Sequence, residues 1–265
     1  MAARGAAGAA RAVSVLTDVE RLQAFLRAVA APGRTVIAVP PFTAYLDPRD
    51  PLRFLNYAIP DDDVAPDHDS VERLRAAFRE HDRLPRLEWV EEAAPRVAGS
   101  LAAAGMREEL RTPLMGCTRE DLGVLEADVP DLVIAPVADD DVRDCASLQR
   151  VAFGGEATSA DEAVRDPRPT AGGAVLARAG GEPVSAASWT RIVDGFTEIV
   201  GVATAERWRG RGLAGAVTAA AAAAAFAAGA ETCVLSPGDE VAQRVYARAG
   251  FRRAATMLHW SDPDQ

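Results

Sequence analysis

The sequence predicts a mixed α/β fold, in which a mostly antiparallel, twisted sheet is flanked by helices in two tandem domains. Segments with helical spacing of apolar residues alternate along the chain with short β-branched runs. The chain has 265 residues, 49% hydrophobic and 26% charged, which suits a globular protein of one large or two ordinary domains. The two halves also end alike, on strand, helix, glycine and strand, when Gly105 is set on Gly250.

In the first half, the patterns predict three helices and four strands. Cap signals from Asp67 to Ser70 precede the second helix, and Gly105 stands where the C-cap of the third belongs. The predicted helices cover 13–30, 70–80 and 94–104, and the predicted strands cover 35–39, 53–59, 86–90 and 109–117. An acidic connector with a proline, 118–131, then separates the halves. We therefore expect a first domain over 1–125 and a second over 131–265.

In the second half, the patterns predict a strand meander followed by a βαβ crossover. Glycine-containing turns at 180–183 and 194–195 indicate two hairpins. The predicted strands cover 131–137, 174–179, 184–192, 196–204, 232–236 and 251–260. The predicted helices cover 140–152, 159–164, 213–230 and 240–249. The third of these is almost unbroken alanine, which favours a tightly packed helix.

The composition excludes several classes of enzyme and partner. All 29 basic residues are arginine, so there is no lysine for a P-loop, for the phosphate-binding strand of a protein kinase or for a pyridoxal Schiff base. The net charge of −10 argues against binding to nucleic acid or to an anionic membrane, because both require a positive face.

The cysteines and histidines predict neither disulfides nor a metal site. Cys117, Cys145 and Cys233 are odd in number and lack C-x-x-C spacing, which is typical of buried free thiols in a reducing compartment. The three histidines are not spaced as metal ligands. The N-terminus lacks the apolar stretch of a secretory signal, so we expect a cytoplasmic protein.

The most informative segment is the glycine-rich loop before the alanine-rich helix. Backbone N–H groups at such a helix start form a cradle for phosphate, and Arg207, Arg209 and Arg211 add positive charge. Two interpretations compete. Gly210, Gly212 and Gly215 fit the G-x-G-x-x-G pattern of dinucleotide-binding folds, but only about fifty residues follow, too few for the rest of a doubly wound sheet.

The same segment resembles motif A of the GNAT superfamily of acetyl-CoA-dependent N-acetyltransferases, with the pattern Q/R-x-x-G-x-G/A. Arg209, Gly212 and Ala214 match that pattern. Tyr246 to Phe251 resembles the family's Y-x-x-x-G-F helix end. The resemblance covers about 131–260 and implies the GNAT fold, with acetyl-CoA as co-substrate and no metal. The first half has no motif A between Ile59 and the helix predicted from Ser70, so it resembles a degenerate copy.

The resemblance also assigns residues to the cofactor. Backbone groups of Val202, Ala203 and Thr204 would pair with the pantetheine amides and polarise the thioester carbonyl, much like an oxyanion hole. The implied phosphate-binding residues follow in the loop and the first turn of the helix: Arg209, Gly210, Arg211, Gly212, Leu213, Ala214 and Gly215.

Glu198 and Tyr246 are the candidate catalytic residues. Strand alternation would place positions 198, 200, 202 and 204 on one face if no bulge intervenes, and apolar neighbours would raise the pKa of the Glu198 carboxyl towards that of a useful base. Tyr246 would donate the proton to the departing thiolate, its ordinary pKa being near 10 against about 8.5 for a thiol.

These features predict an N-acetyltransferase that moves an acetyl group directly to a primary amine of a small molecule or peptide. The sequence does not identify the acceptor or the oligomeric state. Two alternatives stay open at this point. One is a catalytically silent acyl-CoA-binding sensor or assembly module, and the other is a dinucleotide-binding oxidoreductase.

Overall fold

The computed structural model describes residues 18–157 and 172–263 and confirms the mixed α/β class. Helices α1 to α6 span Val19–Ala30, His68–Arg79, Val97–Ala103, Val142–Ala152, Leu213–Ala227 and Glu240–Arg248. Strands β1 to β11 span Thr35–Val39, Phe42–Leu46, Tyr57–Pro60, Arg86–Val90, Arg107–Thr118, Leu132–Pro136, Gly173–Ala179, Glu182–Trp189, Phe196–Thr204, Thr232–Leu235 and Arg252–Ser261.

Two elements of the first half differ from the sequence prediction. Strand β2 was not expected, and it pairs with β1 as an antiparallel hairpin. The strand predicted over 53–59 begins instead as a 3₁₀ turn at Arg53–Leu55, and β3 follows it. In the second half, the helix predicted over 159–164 lies outside the described residues.

The described chain forms two compact units. The N-terminal unit contains residues 18–114 and 253–263, and its strands follow the order β1, β2, β3, β4, β11. Its only parallel pair among the described strands is β3 with β4. Fully buried apolar side chains form its core: Leu22, Phe42, Leu74, Phe78, Trp89, Val97 and Leu101.

The C-terminal unit contains residues 115–252, and its strands follow the order end of β5 (from Met115), β10, β9, β8, β7, β6. Among the pairings described, β9 with β10 is parallel and the others are antiparallel. Helix α5 covers one face of this sheet, where Ala221, Ala222 and Ala225 are fully buried and allow close approach of the helix. Helix α4 covers the other face through Cys145.

Both halves of the chain repeat one order of elements. Each has a helix, a three-stranded meander, a helix, a strand, a helix and a last strand, and the meander pairs in parallel with the strand that follows its helix. The last strands are exchanged between the units, because β11 pairs with β4 and the end of β5 pairs with β10. The compact units therefore divide the chain at residues 115 and 252.

The cysteines are free and buried, as the sequence predicts. Cys117 and Cys233, distant in sequence, are partners across β5 and β10. Burial raises the pKa of Cys117 to about 12, so this thiol stays protonated at neutral pH. Within the described residues, no group of side chains could hold a metal ion. None of the described helices is long and apolar enough to cross a membrane.

Candidate functional site

The loop between β9 and α5 leaves the start of that helix open. After a 3₁₀ turn at Glu206–Trp208, Gly212 occupies the N-cap position with a φ of 84°, and no described side chain caps it. The first turn, which includes Leu213, Ala214 and Gly215, contains no acidic residue. Backbone N–H groups and the positive end of the helix dipole are therefore available to an anion.

The three glycines of this segment answer different structural demands. Gly210 has a φ of 79°, and a Cβ added there would meet nothing within 4 Å. A Cβ on Gly212 would lie 3.0 Å from the carbonyl oxygen of Glu126, and one on Gly215 would lie 2.8 Å from Cδ1 of Leu125. The last two glycines thus make room for the connector. Packing thus accounts for Gly212 and Gly215, and the positive φ accounts for Gly210, so the G-x-G-x-x-G spacing does not require a dinucleotide site.

Two arginines of the loop carry charge that no described carboxylate neutralises. Arg207 is paired with Glu182. By contrast, Nε of Arg209 donates to the carbonyl of Thr204 at 3.4 Å, and the Arg211 guanidinium lies 4.9 Å from the centre of the Trp208 ring. Both side chains are exposed, so they can approach a phosphate from solution.

The connector predicted as a linker packs onto the C-terminal unit. The backbone N–H of Asp128 donates to the carbonyl of Arg211 at 2.9 Å, and that of Gly123 donates to the carbonyl of Ala249 at 3.1 Å. Leu122 and Leu125 pack against the core that α5 shares with the sheet. The connector therefore holds the glycine-rich loop at Arg211.

A β-bulge interrupts β9 just before the predicted cofactor residues. Ser188 of β8 is opposite Val200, whereas Ala186 is opposite Ala203, so one residue of β8 faces both Gly201 and Val202. Gly201 has a φ of 60°, which favours glycine. The extra residue reverses the alternation of the strand beyond this point.

The bulge corrects the expected alignment of positions 198, 200, 202 and 204. Ile199 and Val202 both pack into the core on the α5 face, although a regular strand would place them on opposite faces. Glu198 therefore shares the α4 face with Val200, while Val202 and Thr204 are on the α5 face. Ala203, which is 2% exposed, is opposite a residue of the α4-face cluster.

Beyond Glu198, β9 leaves its neighbour β10. The parallel pairing of these strands runs from Phe196 to Glu198, whose partner is Val234. Strand β10 ends at Leu235, whereas β9 continues to Thr204. On that side, the last part of β9 offers backbone donors and acceptors to an extended ligand, as an edge strand does.

The side chains of the two candidate catalytic residues lie on different faces of the sheet. Glu198 is partly buried, and its backbone N–H donates to Oγ1 of Thr190 at 3.0 Å. Tyr246 of α6 packs against the α5-face core, with its ring centre 6.5 Å from that of Phe251. Burial raises the pKa of Tyr246 to about 12, with a smaller contribution from Asp239.

Two polar residues near the bulge were not found by sequence reasoning. Gln149 of α4 and Ser188 of β8 are 7% and 1% exposed, and they are hydrogen-bonded to each other. A signal for Gln149 was present, because it follows Cys145 by four residues and so extends the apolar stripe of α4. Nothing in the sequence distinguished Ser188 from an ordinary strand residue.

Comparison with known proteins places the chain among acetyltransferases. The model of the acetyltransferase (GNAT) family matches residues 142–251. A GCN5-related N-acetyltransferase from Kribbella flavida is 33% identical over 94% of this chain and 96% of its own, with a TM-score of 0.78. Among curated proteins, none matches the chain.

Two more distant structures share the fold. A GCN5-related N-acetyltransferase from Sphaerobacter thermophilus is 16% identical over 84% of this chain and 76% of its own, with a TM-score of 0.62. A tandem GNAT protein from the clavulanic acid biosynthesis pathway is 14% identical over 84% of this chain and 79% of its own, with a TM-score of 0.59. The second of these is itself a tandem arrangement.

Proposed function

The chain belongs to the GCN5-related N-acetyltransferase (GNAT) family, and from that premise we propose that it transfers the acetyl group of acetyl-CoA to a primary amine. The acceptor is an amine of a small molecule or a peptide, which attacks the thioester directly. Family membership argues against the dinucleotide-binding oxidoreductase. The strand pairing argues against it too, because the described sheet of each unit is largely antiparallel and not doubly wound.

One juxtaposition carries this proposal: a short loop joins the open start of α5 to the end of β9, which is paired with β8 but is open on the side of β10. Acetyl-CoA has phosphates at one end and an amide-containing pantetheine arm at the other. The phosphates would bind the N–H groups of the helix start, with Arg209 and Arg211 adding charge. The pantetheine amides would pair with β9 over Val202–Thr204, as an added strand does.

The chemistry needs a neutral amine, a polarised carbonyl and a stabilised thiolate. Backbone N–H groups of β9 near Val202 would donate to the oxygen of the tetrahedral intermediate. Glu198, on the α4 face, would accept the proton that the amine loses, directly or through water. Tyr246, on the α5 face, would donate a hydrogen bond to the sulfur as the C–S bond breaks. The two side chains would thus act from opposite faces of the sheet, Glu198 on the attacking amine and Tyr246 on the leaving thiolate.

The raised pKa of Tyr246 redefines the role expected from the sequence. An acid with a pKa of about 12 transfers its proton unfavourably to a thiolate whose conjugate acid has a pKa near 8.5. Even the ordinary pKa of tyrosine exceeds that of a thiol, so the expected order of pKa values opposed complete transfer. We therefore assign Tyr246 as a hydrogen-bond donor to the developing thiolate. Coenzyme A would leave as the thiolate and take its proton from solvent, and Glu198 would return the proton of the amine to solvent.

The N-terminal copy carries the opposite charge at the equivalent loop. Between β3 and α2, where the C-terminal copy has its arginines and glycines, the chain has four aspartates: Asp61, Asp62, Asp63 and Asp67. These carboxylates would repel the phosphates of acetyl-CoA. The Asp67 carboxylate also caps α2 by accepting from the backbone N–H of Ser70 at 2.8 Å. We therefore propose one acetyl-CoA site per chain.

Thiol release from acetyl-CoA over a panel of amines tests the proposal. Gly210→Asp places a carboxylate in the phosphate site without a steric clash, so it should abolish activity towards any amine that the wild type accepts. Gly105→Asp is the matched control, because Gly105 has a similar φ of 84° and equally open surroundings, but lies outside the loop. It should keep wild-type activity.

Two results would contradict the proposal in different ways. Equal loss of activity in both variants would mean that the loop is not the cofactor site. Tight acetyl-CoA binding by the wild type without turnover of any amine, peptide amines included, would favour the silent acyl-CoA-binding sensor.

A further inference from the structure

We propose that Gln149 is a positioning residue, which holds the bulge of β9 in the form that receives the pantetheine arm. Ser188 is its partner in this task. The inference rests on the proposed function, since it concerns how the same site is kept in shape. Gln149 touches neither of the candidate catalytic side chains in any described contact and would act through the backbone of Gly201.

The amide of Gln149 bridges the two strands at the bulge. Its Nε2 donates to the carbonyl of Gly201 and to Oγ of Ser188, both at 2.8 Å. A carbonyl oxygen can only accept a hydrogen bond, so the nitrogen end of the amide must face the bulge. Both amide protons are thereby used, one on β9 and one on β8.

The packing leaves little freedom at this point. A Cβ on Gly201 would lie 2.5 Å from Nε2 of Gln149, so the absence of a side chain is what lets the amide reach the backbone. Gln149 is only 7% exposed. Cys145 and Ala146, which are buried on the same helix, hold α4 against the sheet at this point. The Gln149 side chain is therefore long enough to donate to Ser188 and to Gly201, two acceptors that water reaches poorly.

Losing the amide would favour a different strand. At the bulge, the partly buried carbonyl of Gly201 accepts from Gln149, and without that amide it would lose this donor. Regular pairing would recover the hydrogen bond, but it would turn Val202 and Ala203 to the opposite faces. The backbone groups proposed to hold the pantetheine amides and the thioester oxygen would then point elsewhere, while the phosphate loop would keep its form.

This separation of effects defines the experiment. Calorimetry would measure two probes, acetyl-CoA and adenosine 3′,5′-bisphosphate, which has phosphates but no pantetheine arm. The main variant is Gln149→Met, which keeps the volume and removes both donors. Its matched control is Gln23→Met, since Gln23 is also a buried glutamine and its Oε1 accepts from the backbone N–H of Val90 at 2.9 Å, in the N-terminal unit.

For Gln149→Met, we expect the Kd for acetyl-CoA to rise about 10-fold, a change of about 1.4 kcal/mol, while the Kd for the bisphosphate stays within about 2-fold. Gln23→Met should change neither constant. Ser188→Ala keeps the bond from Gln149 to Gly201, so it should raise the Kd for acetyl-CoA by only about 3-fold. This milder variant tests the proposal even if Gln149→Met does not fold.

Three outcomes would overturn the inference. Equal weakening of both probes in Gln149→Met and Ser188→Ala would indicate a general structural role. Unchanged acetyl-CoA binding in both variants, with normal binding by the wild type, would show that the bulge does not need the hydrogen bonds of Gln149. The proposed function would not be affected by that result. Failure of the wild type to bind acetyl-CoA at all would instead overturn the proposed function, and this inference with it.

Discussion

Tyr246 shows how a residue can match a motif while its surroundings decide what it does. Burial against the core of α5 and the ring of Phe251 keeps its hydroxyl protonated well beyond neutral pH. A permanently protonated donor is suited to stabilising a thiolate by hydrogen bonding. Its position was predictable from the spacing to Phe251, but the burial that raises its pKa depends on packing that the sequence does not display.

We expect Tyr246→Phe to lower kcat by about 10²-fold while the KM for acetyl-CoA changes little, because the hydroxyl stabilises the charge that develops on sulfur in the transition state. Steady-state kinetics with a good amine acceptor would measure both constants. Tyr45→Phe is the control, since Tyr45 is a buried tyrosine of the N-terminal unit at 5% exposure. A wild-type kcat for Tyr246→Phe would show that the hydroxyl has no part in the reaction.

The pKa of Tyr246 predicts its behaviour in alkali. Its value in the folded protein lies above the ordinary value near 10, so its contribution to stability is complete below about pH 10 and is lost as the pH rises towards 12. The difference in tyrosinate absorbance between wild type and Tyr246→Phe should therefore stay near zero to about pH 11 while near-ultraviolet circular dichroism remains native. A difference that develops around pH 10 would mean that the ring is solvated.

Glu198→Gln should act on the pH profile. Without the carboxylate, an amine that arrives protonated has no base, so the rate at neutral pH should fall by about 10²-fold and the acidic limb of kcat/KM should disappear. Partial activity should return at high pH, where more of the amine is already neutral. A pH profile identical to that of the wild type would assign the base elsewhere.

At the scale of elements, the sequence predicted most of the helices and strands but not how they pair. Strand β2 was missed because it is short and follows Pro40 and Pro41 without an Asn-Gly or Asp-Gly turn signal. The bulge had a signal, since an isolated glycine such as Gly201 within a strand often marks one. No sequence signal indicated that β5 pairs with β10 and β11 pairs with β4, because the residues of a strand do not identify its neighbour.

The exchange predicts what truncation does. Ending the chain at residue 252 removes β11, with the buried Leu258 and the Asp262 carboxylate that is paired with Arg75 at 2.6 Å. Burial of one large apolar side chain contributes roughly 1.5–3 kcal/mol, and β4 would also lose its antiparallel partner. We expect the N-terminal unit to lose its cooperative thermal transition. Ending the chain at residue 262 should have no effect, and a native transition in the shorter protein would contradict the pairing of β4 with β11.

In the whole molecule, one order of elements occurs twice, and we propose site residues in the C-terminal copy alone. The copies share their element order, yet arginines and glycines precede α5 where aspartates precede α2. In a chain of net charge −10, this local positive loop is where we propose that the anionic co-substrate binds. The sequence allowed this asymmetry to be predicted, because the loop chemistry depends on a few contiguous residues.

Calorimetric titration of the whole chain with acetyl-CoA at low salt tests the central claim most directly. We expect saturable binding with a stoichiometry near one, and loss of that binding in Gly210→Asp but not in Gly105→Asp. A stoichiometry near two would contradict the single site, and binding that survives Gly210→Asp unchanged would contradict its location at the start of α5.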